Sequence, residues 1–311
     1  MNTTPSAAAV PSHPTPAAPS GRALVLGGGG STGNAWLIGV IAGLFDAGLD
    51  LTTADLIIGT SAGSTAAAQL AAASPSELLA AILDAGPHQP AGPGGSGPGR
   101  RSAMPVVDHL ERTRKIIASA HDAADMRRRM GAAALDLDAA SDGTWSTQWR
   151  ATVAARLPSQ QWPERSVRIT AVDARTGEPV VFDRHSGVAL VDAVAASCAS
   201  GLPYRIGENQ YIDGGYRRNE NADLAAGYAA VVVLSPFGGR TRHPLEWGLQ
   251  LATQVDELRG GGSTVETIVP GGSSEQLFGA NAMDPSLRPP AARAGHEQGL
   301  TLAEQLRELW G

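Results

Sequence analysis

The sequence predicts an α/β fold built around a mainly parallel β-sheet. Short apolar runs typical of buried strands alternate along the chain with segments of helical periodicity, an order that places helical crossovers between neighbouring strands. The composition is also rich in alanine and glycine, with 38 glycines, whereas aromatic residues make up only 5% of the chain. This composition favours closely packed helices and tight turns over an aromatic-rich β-sandwich.

Two strand–loop–helix units open the predicted fold. Residues 23–26 form a short apolar strand that ends in the glycines 27–30, and residues 36–45 follow with apolar side chains at helical spacing. A second strand, 55–58, runs into the turn 59–63 and then into an alanine-rich helix. Because the carboxyl ends of parallel strands lie at one edge of a sheet, the two turns are predicted to meet there.

A capped helix and a long loop come next. Ser74 to Glu77 read Ser-Pro-Ser-Glu, a capping box with proline at the first helical position, which predicts the start of a helix. Residues 86–105 are rich in glycine and proline and are predicted to be a loop, either a surface insertion or a flap over a binding groove. Helical segments are predicted from 106 to 129.

The second half of the chain continues the alternation of strands and helices. A turn at Arg175 to Gly177 separates two strand-like runs and predicts a hairpin. No internal repeat is visible, so we expect one domain over 22–311. The predicted strands cover 167–172, 179–182, 211–212, 230–234 and 265–269, and the predicted helices cover 190–196 and 300–309.

Charge and cysteine content narrow the classes of function. The formal net charge is −6 and the one basic cluster, residues 127–129, has helical spacing, which argues against nucleic-acid binding because that needs a concentrated basic face. The single cysteine, Cys198, excludes an intrachain disulfide and is predicted to be a buried thiol. With seven histidines at no ligand spacing, we expect neither a metal nor another cofactor.

The N-terminal residues 1–21 are rich in proline, alanine and serine and are predicted to form a disordered tail. They lack the positive and apolar regions of a secretory signal. No stretch approaches the roughly 20 apolar residues that would span a bilayer. These features predict a cytoplasmic protein that can contact a membrane surface transiently.

The strongest local signal for chemistry is the sequence Gly-Thr-Ser-Ala-Gly from Gly59 to Gly63. Located between a strand and a helix, this G-x-S-x-G pattern predicts a nucleophile elbow, in which the glycines permit a sharp turn that lifts the side chain of Ser61 clear of the sheet. The helix that follows would offer free N–H groups to a developing oxyanion. A tight turn with a capping serine is the plainer interpretation of the pentapeptide alone.

A second glycine-rich loop, residues 28–33, also joins a strand to a helix. Its spacing, G-x-G-x-x-G ending at Gly33, fits the dinucleotide fingerprint, and Asp50 lies at the expected distance. A P-loop is excluded because no Gly-Lys-Ser/Thr follows. Successive glycine N–H groups also form anion nests, which suit the oxygen of a tetrahedral intermediate. A dinucleotide site has no need of an exposed Ser61, whereas a hydrolase needs both loops.

The third signal is Asp213, which follows a short strand and precedes Gly214 and Gly215. A turn aspartate followed by glycines is common, so the motif alone is weak. A serine nucleophile needs a base within hydrogen-bond reach, and an exposed aspartate is a weak one. Partial burial would raise the pKa of Asp213 toward a useful value.

In identity and order, the three motifs resemble the patatin-like phospholipase family, in which a glycine-rich loop is followed by G-x-S-x-G and then by D-G-G or D-G-A. The resemblance covers about 22–311 and is weakest over 86–105. Further segments that resemble the bacterial members are residues 195–199 before the acid, Asn219 and residues 221–225 after it, and residues 281–285.

The resemblance implies a three-layer α/β/α sandwich and an acyl hydrolase whose substrate is a phospholipid, a lysophospholipid or a neutral acyl ester. It implies a Ser–Asp dyad without histidine, with Ser61 as the nucleophile and Asp213 as the general base. The N–H groups of the oxyanion hole would come from Gly28, Gly29 and Gly30.

One position departs from the family pattern. The family usually has arginine or lysine before the last glycine of the first motif, where this chain has Thr32. The backbone donors of the oxyanion hole do not depend on that side chain. The side chain at this position does affect the electrostatics of the site and any preference for anionic head groups.

Besides dinucleotide binding, the sequence leaves open two alternatives to a Ser–Asp hydrolase. An α/β-hydrolase with a Ser–His–Asp triad would have the order Ser, acid, His, which leaves His243 or His296 as the base. A family member without activity could act as a lipid-binding or scaffold protein. The presence of Ser61, Asp213 and the glycine loop argues against that second function.

Overall fold

A computed structural model describes residues 18–85 and 106–311 of the chain. These residues form an eight-stranded sheet with helices on both faces. The strands are β1 Arg22–Leu26, β2 Leu56–Gly59, β3 Ser166–Asp173, β4 Pro179–Phe182, β5 Tyr204–Ile206, β6 Asn209–Asp213, β7 Ala230–Leu234 and β8 Thr264–Ile268. The helices are α1 Gly30–Asp46, α2 Ala62–Leu70, α3 Pro75–Asp84, α4 Val106–Ser119, α5 Ala123–Ala139, α6 Trp145–Ala154, α7 Leu190–Ser197, α8 Leu251–Gly260 and α9 Arg288–Trp310.

The sheet is parallel at its centre and antiparallel at one side. Its strand order is β5-β6-β3-β2-β1-β7-β8, and β4 pairs with β3. The strands β3, β2, β1, β7 and β8 run parallel, whereas β4 and β6 run antiparallel to β3. Leu26 at the end of β1 pairs with Gly59 of β2 and with Leu234 of β7. The loops that follow these three strands therefore begin at the same edge of the sheet.

Helices cover both faces of the sheet, so the central strands are buried on both sides. Successive residues of β1 point to opposite faces: Leu24 belongs to the apolar cluster that contains residues of α1, α2, α3, α7 and α9, and Val25 belongs to the cluster that contains residues of α8. Helices α4 and α5 cover Val172 and Ile212 on the second face. Burial on both faces explains why these strands are continuous apolar runs. The layered arrangement confirms the predicted α/β fold.

The closest helix packing joins α1 to α9. Glycines face backbone across this contact, and a β-carbon at Gly43 would lie 2.1 Å from the carbonyl oxygen of His296. On the opposite helix, a β-carbon at Gly299 would lie 2.3 Å from the carbonyl oxygen of Val40. The two helices therefore pack at a distance that only glycine permits. Because α1 begins at the glycine loop, this contact fixes the helix that carries it.

Several element boundaries differ from the prediction. The segment predicted to be helical from 106 to 129 forms two helices, because Asp122 accepts the N–H of Asp125 and caps a new helix, α5. Helix α9 begins at Arg288 rather than near 300, since Pro289 and Pro290 occupy its first turn, where proline is tolerated. Helices α6 and α8 and strand β5 were not predicted.

Residues 1–17 and 86–105 lie outside the described residues, and with them most of the predicted tail and all of the predicted loop. Ser20 and Gly21 belong to the predicted tail but take part in the fold. The N–H of Ser20 donates to the carbonyl oxygen of Gly227 at 3.1 Å, and the carbonyl oxygen of Gly21 accepts the N–H of Ala229 at 3.0 Å. In the described ranges, no helix combines the length and the apolar character needed to cross a membrane.

The α1–α9 contact generates a prediction about stability. We expect Gly43→Ala to lower the free energy of unfolding by about 2 kcal/mol or more, because the added methyl group meets backbone that cannot move aside. Urea denaturation measures the change. Gly260→Ala is the control, since a β-carbon there meets open space at the end of α8 and is expected to be neutral or slightly stabilising. Equal stability of the two variants would contradict this packing.

Candidate active site

Ser61 stands on a sharp turn between β2 and α2 and remains partly accessible. Its φ of 52° and ψ of −115° are rare for a residue with a side chain. A β-carbon at Gly63 would lie 1.9 Å from the carbonyl oxygen of Leu26, and one at Gly59 would lie 2.6 Å from the Cα of Ser64. Both glycines of the motif are therefore required by close backbone contacts, as a nucleophile elbow demands.

The hydroxyl of Ser61 donates a hydrogen bond to the carboxylate of Asp213, with 2.8 Å between Oγ and Oδ2. The other carboxylate oxygen, Oδ1, accepts the N–H of Gly215 at 2.8 Å. Asp213 is the last residue of β6, and its side chain is buried. The fold thus brings together a serine and an aspartate that are 152 positions apart.

Burial sets the acidity of Asp213. It raises the pKa of this carboxyl from 3.8 to about 6, although the hydrogen bonds from Gly215 and Ser61 act in the opposite direction. A carboxyl group with this pKa is mainly ionised at neutral pH and is a stronger base than an exposed aspartate. Asp213 can therefore accept the proton of the Ser61 hydroxyl.

The turn after Asp213 is as tightly packed as the turn at Ser61. A β-carbon at Gly214 would lie 2.3 Å from Oγ1 of Thr170 on β3. Gly215 supplies the N–H that orients the carboxylate. The two glycines after the aspartate thus serve separate purposes: the first allows the close approach to β3, and the second holds the side chain of Asp213.

The end of α7 supports the backbone of Ser61. The N–H of Ser61 donates to Oγ of Ser197 at 2.9 Å, and the thiol of Cys198 donates to the carbonyl oxygen of Ser61 at 3.1 Å. Burial, followed by the charge of Asp213, raises the pKa of Cys198 to about 11, so the thiol keeps its proton. No local sequence pattern points to this role of Ser197, apart from the resemblance of residues 195–199 to the family.

A buried asparagine connects the two turns. Asn221 has a left-handed backbone with φ of 55°, and its Nδ2 donates to the carbonyl oxygen of Arg218 at 2.7 Å and to Oγ1 of Thr60 at 2.9 Å. Oγ1 of Thr60 also lies 2.9 Å from Oγ1 of Thr170, which adjoins Gly214. Hydrogen bonds therefore link the turn after β2, strand β3 and the segment after Asp213.

The glycine loop differs from the prediction at one residue. The N–H of Gly28 donates to the carbonyl oxygen of Asn219 at 3.0 Å, so Gly28 is engaged in the fold and is not a free donor for an oxyanion. The N–H groups of Gly29 and Gly30 have no acceptor among the described residues. Gly30 has φ of 66°, and a β-carbon there would lie 2.7 Å from the carbonyl oxygen of Ala282.

The remaining residues of the loop form the first turn of α1. The N–H of Gly33 donates to the carbonyl oxygen of Gly29 at 3.0 Å. Thr32 is fully buried, and its N–H donates to the carbonyl oxygen of Ala282 at 3.0 Å. A cation nevertheless lies beside the loop, because the guanidinium of Arg288 donates to the carbonyl oxygen of Ser31 at 2.8 Å.

The geometry and motifs of this site agree with the comparison with protein families. Residues 24–226, more than half of the chain, match the model of the patatin-like phospholipase family. The chain belongs to this family. The resemblance inferred from the motifs is confirmed, and membership supports a lipid hydrolase activity for this patatin-like chain. A search of the curated proteins found no match.

The patatin-like chain is also similar to solved structures. The match to VipD from Legionella pneumophila covers 92% of this chain and 67% of VipD, with 14% identity and a TM-score of 0.43. The match to the type III effector protein ExoU covers 92% of this chain and 53% of ExoU, with 15% identity and a TM-score of 0.36. The match to full-length ExoU from Pseudomonas aeruginosa, in complex with full-length SpcU, covers 91% of this chain and 53% of ExoU, with 17% identity and a TM-score of 0.34. The patatin-like chain thus spans about half the length of ExoU.

The histidines of the alternative triad have other partners in the patatin-like chain. Nδ1 of His243 lies 2.9 Å from Oγ1 of Thr241, and burial lowers the pKa of His243 to about 4. Nε2 of His296 lies 2.9 Å from a carboxylate oxygen of Asp46. Neither histidine is hydrogen-bonded to the serine–aspartate pair in the described structure, so the structure gives no support to a Ser–His–Asp triad.

The dinucleotide alternative also lacks its acidic residue. Asp50 precedes β2 and caps a short 3₁₀ helix by accepting the N–H of Thr52 at 2.8 Å. Nucleotides bind at the carboxyl ends of strands, whereas Asp50 lies at the opposite end of β2. Over 18–85 and 106–311, no three His, Cys, Asp or Glu side chains form a group that could hold a metal ion.

The backbone conformation of Ser61 predicts that glycine at this position gives a more stable protein than alanine does. We expect Ser61→Gly to be more stable than Ser61→Ala by about 1 kcal/mol, because glycine adopts a positive φ without strain. Thermal and urea unfolding measure the difference. Ala80→Gly, at an exposed position inside α3, is the control, since glycine in an ordinary helical position is less stable than alanine. The same order at both positions would contradict strain at Ser61.

The raised pKa of Asp213 predicts that Asp213→Asn stabilises the protein. The folded state holds this proton more tightly than the unfolded state, so the charge of Asp213 lowers stability as the pH rises from 3.8 to about 6. The full effect, at most about 3 kcal/mol, is present at pH 8. Urea denaturation should therefore show a gain for Asp213→Asn at pH 8 that disappears below pH 4.

Asp223→Asn is the matched control for this experiment. Burial raises the pKa of Asp223, but its hydrogen bond and ion pair with Arg217 outweigh burial, and the pKa is lowered overall. Its charge therefore stabilises the fold at neutral pH, and Asp223→Asn should lose stability there. If Asp213→Asn instead lost stability at pH 8, the charge of Asp213 would be stabilising, and the raised pKa of this carboxyl group would be contradicted.

Proposed function

We propose that this chain is a serine acyl hydrolase that cleaves the acyl ester of a lipid through a Ser61–Asp213 dyad. The observation that carries the proposal is the 2.8 Å hydrogen bond from the hydroxyl of Ser61 to a buried carboxylate. The strained turn under Ser61 and the family membership of the chain support it. We propose that residues 22–311 form one hydrolase domain, because α9 packs directly on the helix that carries the glycine loop.

Acylation begins with attack of the Ser61 oxygen on the ester carbonyl carbon. Asp213 accepts the hydroxyl proton as the new C–O bond forms, and the carbonyl oxygen becomes an oxyanion. When the tetrahedral intermediate collapses, the bond to the lipid alcohol breaks, and the proton held by Asp213 passes to the leaving oxygen. The acyl group remains on Ser61, and Asp213 is again ionised.

The oxyanion is stabilised by backbone N–H groups at two helix starts. Gly29 and Gly30 precede and begin α1, and their N–H groups have no acceptor among the described residues. Ala62, the residue after the nucleophile, begins α2 and is the usual second source of an oxyanion N–H at a nucleophile elbow. Donors of this kind contribute about 3 kcal/mol each to the transition state.

Deacylation repeats these steps with water. Asp213 accepts a proton from a water molecule as the water oxygen attacks the acyl carbon, and the proton then passes to the oxygen of Ser61. The products are a free fatty acid and the regenerated enzyme. Phospholipids, lysophospholipids and neutral acyl esters all contain the ester bond that this mechanism requires.

The first test is covalent labelling with a fluorophosphonate, read by intact mass. Wild-type protein should gain one adduct, Ser61→Ala should gain none, and Asp213→Asn should react at least about 100-fold more slowly because the general base is lost. Ser64→Ala, which changes the serine that directly follows the motif in α2, is the control and should retain an adduct on Ser61. Undiminished labelling of Asp213→Asn, or none of folded wild-type protein, would overturn the proposed mechanism.

The pH dependence of labelling should report the acidity of Asp213. The rate should be constant above pH 7 and should fall about tenfold per pH unit below about pH 6, because protonated Asp213 cannot accept the serine proton. Labelling rates from pH 4.5 to 8.5 measure this profile. An inflection near pH 4 would mean that the base is an exposed carboxyl group, in conflict with the assignment of Asp213.

A further inference from the structure

The side chain of Asn219 belongs neither to the dyad nor to the oxyanion hole, yet it adjoins both residues of the dyad. A β-carbon at Gly28 would lie 2.7 Å from Oδ1 of Asn219 and 3.6 Å from Cβ of Ser61. A β-carbon at Gly215 would lie 3.8 Å from Oδ1 of Asn219 and 3.1 Å from Oδ1 of Asp213. Because both positions are glycine, neither places a side chain between Asn219 and the dyad.

Hydrogen bonds fix the orientation of the Asn219 amide. Its Nδ2 donates to the carbonyl oxygen of Gly28 at 3.3 Å and to Oε1 of Glu220 at 2.8 Å. Glu220 is almost completely buried, and its Oε1 also accepts the hydroxyl of Ser235 at 2.6 Å. A carbonyl oxygen in the place of Nδ2 would face two acceptors and be repelled, so the amide has a single orientation. Oδ1 is therefore the atom that is held beside the dyad.

This amide oxygen has no hydrogen-bond donor from the protein. Within residues 18–85 and 106–311, only Nδ2 of the Asn219 side chain has partners, and Oδ1 has none. Asn219 is partly accessible, whereas Glu220 and Ser235, which anchor it, are buried. An amide oxygen accepts hydrogen bonds and cannot donate them. Oδ1 is thus available to a donor that enters the site from solvent.

The chemistry of the reaction indicates which donor that is. An acyl ester has only acceptor oxygens at its reacting carbon, so the amide oxygen cannot bind it. Water has two O–H groups, and its attack on the acyl-enzyme uses one of them, whose proton passes to Asp213. The other O–H needs an acceptor close to the same carboxylate. Oδ1 of Asn219 is an acceptor beside Asp213 that no described residue occupies.

We propose that Asn219 is a further catalytic residue, whose amide oxygen holds the water molecule that deacylates Ser61. One proton of this water passes to Asp213 while its oxygen bonds to the acyl carbon. The bond from that carbon to the oxygen of Ser61 then breaks, and Asp213 returns the proton to Ser61. The second proton, bonded to Asn219, stays on the water oxygen and leaves with the acid. The inference rests on the proposed function, and it adds a residue that fixes the direction of the water.

The test offers methanol as a second nucleophile. With p-nitrophenyl hexanoate, whose leaving group departs easily, the hexanoyl group on Ser61 passes either to water or to methanol. Methanol has one O–H group, which must face Asp213, so a hydrogen bond to Asn219 favours water alone. We expect Asn219→Leu, which has nearly the same volume, to lower the ratio of hexanoic acid to methyl hexanoate about tenfold. Gas chromatography measures both products.

The time course of p-nitrophenol release separates the two halves of the reaction. Asn219→Leu should retain the initial burst that reports acylation, while its steady-state rate falls about tenfold because deacylation is slower. Asn219→Asp keeps an acceptor oxygen at the same position and should return the product ratio toward that of the wild type. Circular dichroism verifies folding, and Asn219→Ala replaces Asn219→Leu if the larger apolar side chain prevents it.

Ser197→Ala is the matched control for a general distortion of the site. It removes the acceptor of the Ser61 N–H, which acts in both reactions, so both products should decrease together and their ratio should stay unchanged. An unchanged ratio in folded Asn219→Leu, or an equal fall in Ser197→Ala, would overturn the role of Asn219 alone. A folded wild type with neither a burst nor either product would overturn the proposed function, and the role of Asn219 with it.

Discussion

Contacts of backbone with backbone at one edge of the sheet determine where Ser61 and Asp213 lie. No side chain fits between Gly63 of α2 and the carbonyl oxygen of Leu26, or between Gly214 and Thr170 on β3. Such contacts leave little freedom of adjustment, because they involve main-chain atoms that the sheet already holds. The serine and the aspartate are therefore oriented before a substrate binds, which is the condition for efficient proton transfer and for stabilisation of an oxyanion.

Holding Ser61 and Asp213 in this orientation lowers the free energy of unfolding. Buried hydrogen bonds from neighbouring residues offset part of this loss. Ser61 has a strained backbone, and Asp213 is a buried carboxylate with no cationic partner among its hydrogen bonds. Ser197 and Asn221 satisfy polar groups that the turns around these residues would otherwise leave unpaired. Features of this kind are typical of sites where chemistry, rather than stability, determines the residue.

The local parts of the site could be predicted from the sequence, whereas the parts that depend on tertiary contacts could not. Ser61 and Asp213 lie in short motifs whose glycines signal tight turns. The engagement of Gly28 with Asn219 and the support of Ser61 by Ser197 join positions more than 100 residues apart, and no local pattern encodes them. The early start of α9 was missed because a proline pair suggests a break unless its place in the first turn is known.

The packing of α1 against α9 has a consequence for how the protein folds. The indole of Trp36 donates to Gln298 across 262 positions of sequence, so the helix that carries the glycine loop finds its partner only after a very long chain segment has closed. Contacts between residues so distant in sequence form slowly, because the entropy of the intervening chain is lost before they stabilise the product. A newly made chain therefore completes the packing beneath its glycine loop only in a late step of folding, after most of the sheet between the two helices can already have formed.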